Sequence, residues 1–196
     1  MGMKATKELF LEKTIEVVAR VGMENLRTKM VADAAGFSEA TMFRFFRDKD
    51  EMLCETFLEV DRRVSEVFLA CFKPEKFENT TCKEALFEIW KKIFSYLLEN
   101  PNETLYLIRF RYSALYSSEI RSKRKAYDGS LNKAYEYLTD LNAAGVGTYQ
   151  GFLTNYAFEM TLCFAEKIVT GRIQLTEDMK LRLWNAIFAS TEFFCK

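Results

Sequence analysis

The stretch from Thr28 to Lys49, TKMVADAAGFSEATMFRFFRDK, decides the fold of this chain. It predicts a short helix from an N-cap at Thr28 to Ala35, and then a turn. Gly36 can adopt the left-handed backbone conformation that ends a helix, and the Ser38 hydroxyl can cap the next helix. Two short helices joined by a tight glycine turn form a helix-turn-helix, whose second helix enters the major groove of DNA.

The sequence on both sides predicts helices that support this motif. Apolar residues recur at helical spacing from Lys4 to Val21, and Gly22 ends that helix. Asp48 and Glu51 form a capping-box pattern at the start of a long connector helix. The expected core of the first three helices consists of Phe10, Val18, Leu26, Val31, Ala34, Met42 and Phe46.

The rest of the chain is also predicted to be helical. Two prolines and eight glycines provide little turn punctuation, which favours long helices over many short strands. We therefore predict an all-α fold with a helix-turn-helix DNA-binding domain at residues 1–48 and a larger helical domain at 49–196. The helices expected in the second domain are 49–72, 82–99, 102–116, 118–143, 149–170 and 176–194.

Composition narrows the possible functions. The net charge is zero, so any DNA binding must depend on a local surface. The absence of histidine removes His-based catalysis and imidazole metal sites, and the five cysteines form no CxxC pair. We expect no catalytic residues, no metal and no cofactor. Without a signal peptide or an apolar span, we expect a cytoplasmic protein that has no membrane partner.

The motif and its flanks resemble the TetR family of bacterial transcriptional regulators. The resemblance covers roughly residues 7 to 55, and beyond them it supports architecture only. The matching positions are Gly22, Thr28, Val31, Ala32, Ala35, Gly36, Ser38, Thr41, Phe43, Phe46, Lys49 and Leu53.

The resemblance implies an all-α homodimer in which residues 49–196 form the effector-binding and dimerisation domain. The last two helices of each subunit, about 149–194, then pair across the interface. An alternative is that their apolar residues pack within one subunit. The candidate interface residues are Phe152, Tyr156, Phe164, Ile168, Leu181, Trp184, Ile187 and Phe188.

The DNA-binding residues are expected on the helix-turn-helix and at the start of the connector helix. Thr28 and Lys49 are assigned to phosphates, and Lys29 to a phosphate or a guanine edge. Arg44 suits bidentate readout of guanine, although a salt bridge with Glu39 or Asp48 would also satisfy it. The complete set is Thr28, Lys29, Ser38, Glu39, Ala40, Thr41, Phe43, Arg44, Phe45 and Lys49.

Two of these residues depart from the family pattern. The family usually has Tyr where Phe43 stands and often His where Phe45 stands, and Phe cannot donate a hydrogen bond to a phosphate. These rings either press on sugars or thymine methyl groups, or one of them packs against the first helix.

Residues 82 to 164 are rich in aromatic side chains. Such a stripe suits the core of a helical bundle, and it also suits a pocket for an apolar or aromatic effector, whose charge Arg109 or Glu159 could select. The candidate effector-binding residues are Trp90, Phe94, Tyr106, Phe110, Tyr127 and Tyr156.

We therefore expect a ligand-responsive, sequence-specific transcriptional regulator, a repressor that a small effector releases from a palindromic operator. Its partners would be double-stranded DNA, the effector and a second copy of the chain. The alternatives are a DNA-binding or interaction protein without ligand control and a helical-bundle enzyme. A di-iron enzyme needs Glu-x-x-His pairs, which a chain without histidine cannot form.

Overall fold

A computed structural model describes residues 2–75, 80–126, 133 and 149–192, and these residues form helices and connecting turns. No strand occurs among them, as predicted. None of the described helices is long and apolar enough to cross a membrane. In chain order the helices are α1 (Met3–Val21), α2 (Thr28–Ala35), α3 (Glu39–Met42), α4 (Lys49–Cys71), α5 (Cys82–Glu99), α6 (Pro101–Arg111), α7 (Ser118–Ala126), α8 (Tyr149–Val169) and α9 (Glu177–Glu192).

The chain divides into two compact units. Unit 1 consists of Met1–Arg63 and Asn100–Ala126, and unit 2 of Val64–Glu99 and Tyr127–Lys196. The predicted functional boundary between residues 48 and 49 stays a prediction, because compactness does not show where DNA binding ends.

In unit 1, α1, α2 and α3 pack around the fully buried ring of Phe10. The rings of Phe37, Phe45 and Phe46 approach it at centroid distances of 5.6, 5.9 and 6.4 Å. Aromatic pairs at such distances contribute about 0.5–1.5 kcal/mol each beyond their buried area. Phe10 therefore holds the helix-turn-helix against α1.

The predicted core of these helices is confirmed except at one position. Phe10, Val18, Leu26, Val31, Met42 and Phe46 are buried, whereas Ala34 is exposed. Its neighbours Ala32 and Ala35 are buried instead. Val31, Ala32 and Ala35 share one side of the helix, and Ala34 lies beyond the edge of that side, on the flank of Val31 away from Ala32.

The later part of unit 1 packs α6 against α4 and α1. Phe57 and Phe110 stack at 4.4 Å, and the buried Tyr106 hydroxyl donates a 2.7 Å hydrogen bond to the Leu53 carbonyl. Arg109 donates to the carbonyl of Val18, near the end of α1. This contact places the positive charge of Arg109 near the negative end of the α1 dipole, which is favourable.

Arg63 joins three helices of unit 1 through carboxylates. Its guanidinium bonds to Glu12 on α1, to Glu59 on α4 at 3.0 Å, and to Glu103 on α6 at 2.7 Å. Burial alone would lower the pKa of Arg63, but these hydrogen bonds outweigh it and raise the pKa above its usual value. Glu103 is itself buried, so the arginine supplies the counter-charge that its carboxylate needs.

The helix beginning near residue 100 differs from the prediction. α6 begins at Pro101, with Asn100 at the N-cap, and it ends at Arg111, short of the expected Tyr116. Proline suits the first helical position because its φ is preset and no N–H is needed there. The predicted helix 118–143 is described only to Ala126, apart from the helical residue 133.

Unit 2 contains an aromatic cluster between α5 and α9. Trp90 stacks on Phe94 at 4.9 Å, and the two tryptophan rings, Trp90 and Trp184, lie 5.5 Å apart. The buried indole nitrogen of Trp90 donates a 2.9 Å hydrogen bond to the Thr161 hydroxyl of α8. A buried indole N–H without a partner would be costly, so this bond fixes α8 against α5.

Candidate nucleic-acid interface

The turn between α2 and α3 has the geometry that the sequence predicts. Gly36 adopts φ 73° and ψ 28°, in the left-handed region. The amide of Gly36 donates to Asp33 and that of Phe37 donates to Ala32, which is the Schellman pattern of helix termination. The Phe37 ring then packs on Phe10, so the turn is fixed by hydrogen bonds and by apolar contact.

The second helix of the motif is short. α3 spans Glu39–Met42, and the Ser38 hydroxyl accepts a 3.2 Å hydrogen bond from the Thr41 amide, which confirms the predicted cap. Tighter turns continue the helix, since the amides of Arg44 and Phe45 donate to carbonyls three residues back. These turns leave Ala40, Phe43 and Arg44 exposed.

Thr28 does not have the capping role that the sequence predicts. Arg27 occupies the N-cap position of α2, in an extended conformation and without a capping bond from its side chain, and Thr28 is the first helical residue. Its hydroxyl donates a 2.5 Å hydrogen bond to the Glu39 carboxylate. Because this hydroxyl has a single hydrogen, a phosphate contact at Thr28 would fall to the backbone N–H, which lies in the first turn of α2.

The two phenylalanines that depart from the family pattern have different environments. Phe45 is half-buried and packs against Phe10 of α1, as one of the two open interpretations predicts. Phe43 is 46% exposed, and its ring makes no aromatic or cation–π contact with any residue in the described part of the chain. Of these two rings, only that of Phe43 is therefore available to a partner.

Two predicted cations are similarly available. Lys29 on α2 and Arg44 after α3 are exposed, and neither forms an ion pair with the residues that the structure describes. The expected alternative for Arg44 was a salt bridge with Glu39 or Asp48. Glu39 instead accepts from Thr28, and Asp48 pairs with Arg47 at 2.8 Å.

Lys49 has a structural contact that was not foreseen. Its half-buried ammonium donates to the carbonyl of Leu26 at 2.7 Å and to that of Met23 at 3.4 Å. It thereby joins the start of α4 to the loop between α1 and α2. An ammonium has three hydrogens, so one remains for the phosphate contact, which stays a prediction.

The start of α4 is capped as expected. Asp48 accepts a 2.8 Å hydrogen bond from the Glu51 amide, and this bond is the main reason that the pKa of Asp48 is lowered. The Glu51 carboxylate accepts from the amide of Arg47 and not, as in a standard capping box, from that of Asp48.

Sequence reasoning passed over two further exposed cations, Arg27 and Arg47. Arg27 lies directly before α2, and the Arg47 side chain is 80% exposed although it pairs with Asp48. Their position in the sequence, at the two ends of the motif, could have indicated that they belong to the DNA-binding surface. Arg27 adds a positive charge two residues before Lys29, whereas the charge of Arg47 is offset by Asp48.

The predicted effector residues fall in both units. Tyr106 and Phe110 belong to unit 1, where they stack at 6.2 Å, and Trp90, Phe94 and Tyr156 belong to unit 2. The remaining one, Tyr127, lies outside the described residues. Within the described ranges no group of three or more Cys, Asp or Glu side chains is arranged to hold a metal ion.

The candidate interface residues on the last two helices have mixed environments. Trp184, Ile187 and Phe188 are buried within the chain, whereas Leu181 is 51% exposed. Tyr156, Phe164 and Ile168 on α8 are half-buried, and the side chain of Phe152 lies outside the described part. The buried three fit the alternative of packing within one subunit.

Comparison with known proteins agrees with this geometry. Residues 4–56 match the profile of the bacterial regulatory proteins of the tetR family. An uncharacterized HTH-type transcriptional regulator from Haemophilus influenzae is 31% identical over 94 residues, which are 48% of this chain. The match spans about half of that relative's length (48%).

Solved structures show the same fold over nearly the whole chain. A TetR family transcription regulator from Marinobacter aquaeolei VT8 aligns with a TM-score of 0.75 at 22% identity, covering 95% of both chains. A TetR-like transcriptional regulator from Mycobacterium smegmatis, in complex with proflavine, aligns with a TM-score of 0.61 at 14% identity, covering 94% of both chains. At these identities the similarity establishes the fold.

Proposed function

Since this chain has the TetR fold and carries the N-terminal region of the TetR family in residues 4–56, we propose that it is a sequence-specific DNA-binding transcriptional regulator. The observation that carries the proposal is the surface formed by Lys29, Phe43 and Arg44. These side chains are exposed on the helix-turn-helix and on the turn that follows α3. The relatives and the fold are those of regulators and not of enzymes.

On DNA, α3 and the turn after it would lie in the major groove. Arg44 can donate two parallel hydrogen bonds to the O6 and N7 atoms of a guanine. Lys29 would neutralise a phosphate at the edge of the groove, and Lys49 would offer its third N–H to another. Because the net charge of the chain is zero, affinity would come from these local contacts.

We propose that the protein acts as a homodimer on a palindromic operator. Two recognition helices must match half-sites one helical turn of DNA apart, or a multiple of it, which a symmetric dimer achieves. The exposed Leu181 and the half-buried Phe164 and Ile168 are among the apolar residues on α8 and α9 that are available for a contact between subunits. A protein with this role would work in the cytoplasm.

We also propose that an apolar or aromatic small molecule regulates DNA binding. The aromatic cluster of unit 2 contains Trp90 and Phe94, whose flat rings suit such a ligand. The relative from Mycobacterium smegmatis is known in complex with proflavine, which supports this choice of ligand class. A ligand that binds better to a form with misplaced recognition helices would lower DNA affinity, as expected of a repressor.

Selection of bound duplexes from a random pool tests the proposal. We expect one palindromic sequence to be enriched by the wild-type protein but not by a variant that combines Lys29→Ala with Arg44→Ala. A screen of aromatic compounds for release of the selected DNA then tests ligand control. Enrichment of no sequence would contradict DNA recognition, and selected DNA that no compound releases would favour a regulator without a ligand.

A further inference from the structure

We propose that Phe43 is a specificity-determining residue that recognises the C5-methyl group of a thymine in the operator. The inference rests on the proposed DNA-binding function, and it assigns a chemistry to one position of the interface. It concerns the residue at which this chain has an apolar ring where the family pattern has a hydroxyl.

Four phenylalanines lie between residues 37 and 46, and only one points away from the core. Phe37, Phe45 and Phe46 all contact the ring of Phe10. Phe43 is 46% exposed and contacts no aromatic ring or cation of the described chain. Packing within unit 1 therefore accounts for three of these rings and leaves Phe43 without an internal role.

The backbone holds this exposed ring in a defined place. The Phe43 amide donates a 2.9 Å hydrogen bond to the Glu39 carbonyl, and its φ of −68° and ψ of −4° continue the helical turn. Ala40, three residues earlier and on the same face, is also exposed. Ala40 and Phe43 together present a small apolar surface, and the exposed Arg44 follows Phe43 in the sequence.

The chemistry of the major groove selects the ligand of this surface. Phe43 has no donor for a phosphate or for a base acceptor. Among the groups on the major-groove edges of the bases, the C5-methyl of thymine is the apolar one. With Arg44 as the guanine-reading neighbour, each half-site is expected to contain a thymine whose methyl group faces Phe43, next to a guanine.

A scan of the selected operator with uracil tests this inference, because uracil differs from thymine only by the missing methyl group. Each thymine is replaced in turn, symmetrically in both half-sites, and the affinity of the wild-type protein is measured. We expect one position at which uracil weakens binding by about three- to tenfold, as the loss of a buried methyl contact predicts. The scan uses the wild-type protein, so it depends on no variant that could fail to fold.

Variants then assign the methyl contact to Phe43. Phe43→Ala should bind the thymine and uracil operators equally, whereas Phe43→Tyr, which keeps the ring, should retain the preference for thymine. Tyr112→Ala is the matched control, since Tyr112 is an aromatic residue that is 72% exposed and lies outside the helix-turn-helix. It should keep the full preference for thymine.

The outcomes separate the two proposals. If the protein selects an operator but no uracil position weakens wild-type binding, the thymine readout is wrong and the DNA-binding function stands. A preference for thymine that survives unchanged in Phe43→Ala would also overturn the role of Phe43. A protein that selects no DNA would overturn both proposals.

Discussion

The hydroxyl of Thr28 and the carboxylate of Glu39 lie 2.5 Å apart and join the first residue of α2 to the first residue of α3. The Gly36 turn links the same two helices through the chain, from the end of α2 to the start of α3. The Thr28–Glu39 hydrogen bond therefore closes a second connection, which fixes the angle between the two helices of the motif.

Replacing Thr28 by valine removes the donor and keeps the shape of the side chain. We expect the free energy of unfolding, measured by urea denaturation, to fall by about 1 kcal/mol, since hydrogen bonds to charged groups are among the stronger ones and this pair is only half-buried. Glu39→Gln keeps an acceptor oxygen and should cost less. Equal stability of Thr28→Val and the wild type would show that the hydrogen bond does not hold the motif together.

Arg44→Ala tests the assignment of guanine readout. We expect operator affinity to fall by about 1–3 kcal/mol and one base position to lose its preference. The exposed Arg44 forms no ion pair with described residues, so the thermal midpoint should not change. Arg44→Lys keeps the charge but loses the fork geometry, and recovery of full specificity in that variant would argue against a bidentate contact.

Lys49→Met separates a structural role from a role in DNA binding. Loss of the hydrogen bonds to Leu26 and Met23 should lower the free energy of unfolding by about 1 kcal/mol. Loss of a phosphate contact should weaken binding on all sequences and reduce the salt dependence by about one unit of slope. An unchanged slope with reduced stability would confine Lys49 to the loop contact.

Arg63→Met should destabilise unit 1 because the buried Glu103 carboxylate loses its charged hydrogen bond to Arg63. Breaking a fully buried pair costs about 3–5 kcal/mol, and since this guanidinium is 25% exposed we expect about 1–3 kcal/mol. Arg62→Met is the matched control, because Arg62 also pairs with Glu59 but is 44% exposed. The control should cost under about 0.5 kcal/mol. Equal losses in both variants would contradict the special role of Arg63.

The carboxylate of Glu59 predicts how the free energy of unfolding responds to pH. Hydrogen bonds from Arg62 and then Arg63 lower the pKa of Glu59, so the folded state holds this proton less tightly than the unfolded state. The resulting stabilisation is complete above the unfolded pKa of about 4.5 and is lost as pH falls through the lower folded value. The chain has no histidine, so the free energy of unfolding should stay nearly constant between about pH 6 and 8. Urea denaturation at several pH values measures this free energy. A steep change between about pH 6 and 8 would contradict this account.

Local sequence signals predicted the helix ends well where one residue determines the geometry. The left-handed conformation of Gly36, the Ser38 cap and the bond from the Glu51 amide to Asp48 all formed as expected. Contacts between residues distant in sequence did not follow from spacing. The bond of Lys49 to Leu26 and the placement of Phe45 on Phe10 depend on how α1 packs against the motif.

The same limit applies to two other parts of the predicted site. Thr28 is a good capping residue by type, but a nearby carboxylate acceptor at Glu39 took its hydroxyl. The periodicity of aromatic residues indicated a packed bundle without distinguishing core from pocket. Trp90 and Phe94 have the exposure of core residues, 7% and 0%, so their role as ligand contacts stays a proposal.

The neighbouring indoles of Trp90 and Trp184, 5.5 Å apart, give the protein an intrinsic fluorescent probe. They are the two tryptophans of the chain, and both belong to unit 2. Their fluorescence emission therefore reports on unit 2, without a contribution from the helix-turn-helix. If an added aromatic compound quenches this fluorescence or shifts its emission wavelength, the compound binds to unit 2, and no DNA is needed to detect it. A titration would then give its dissociation constant without labelling.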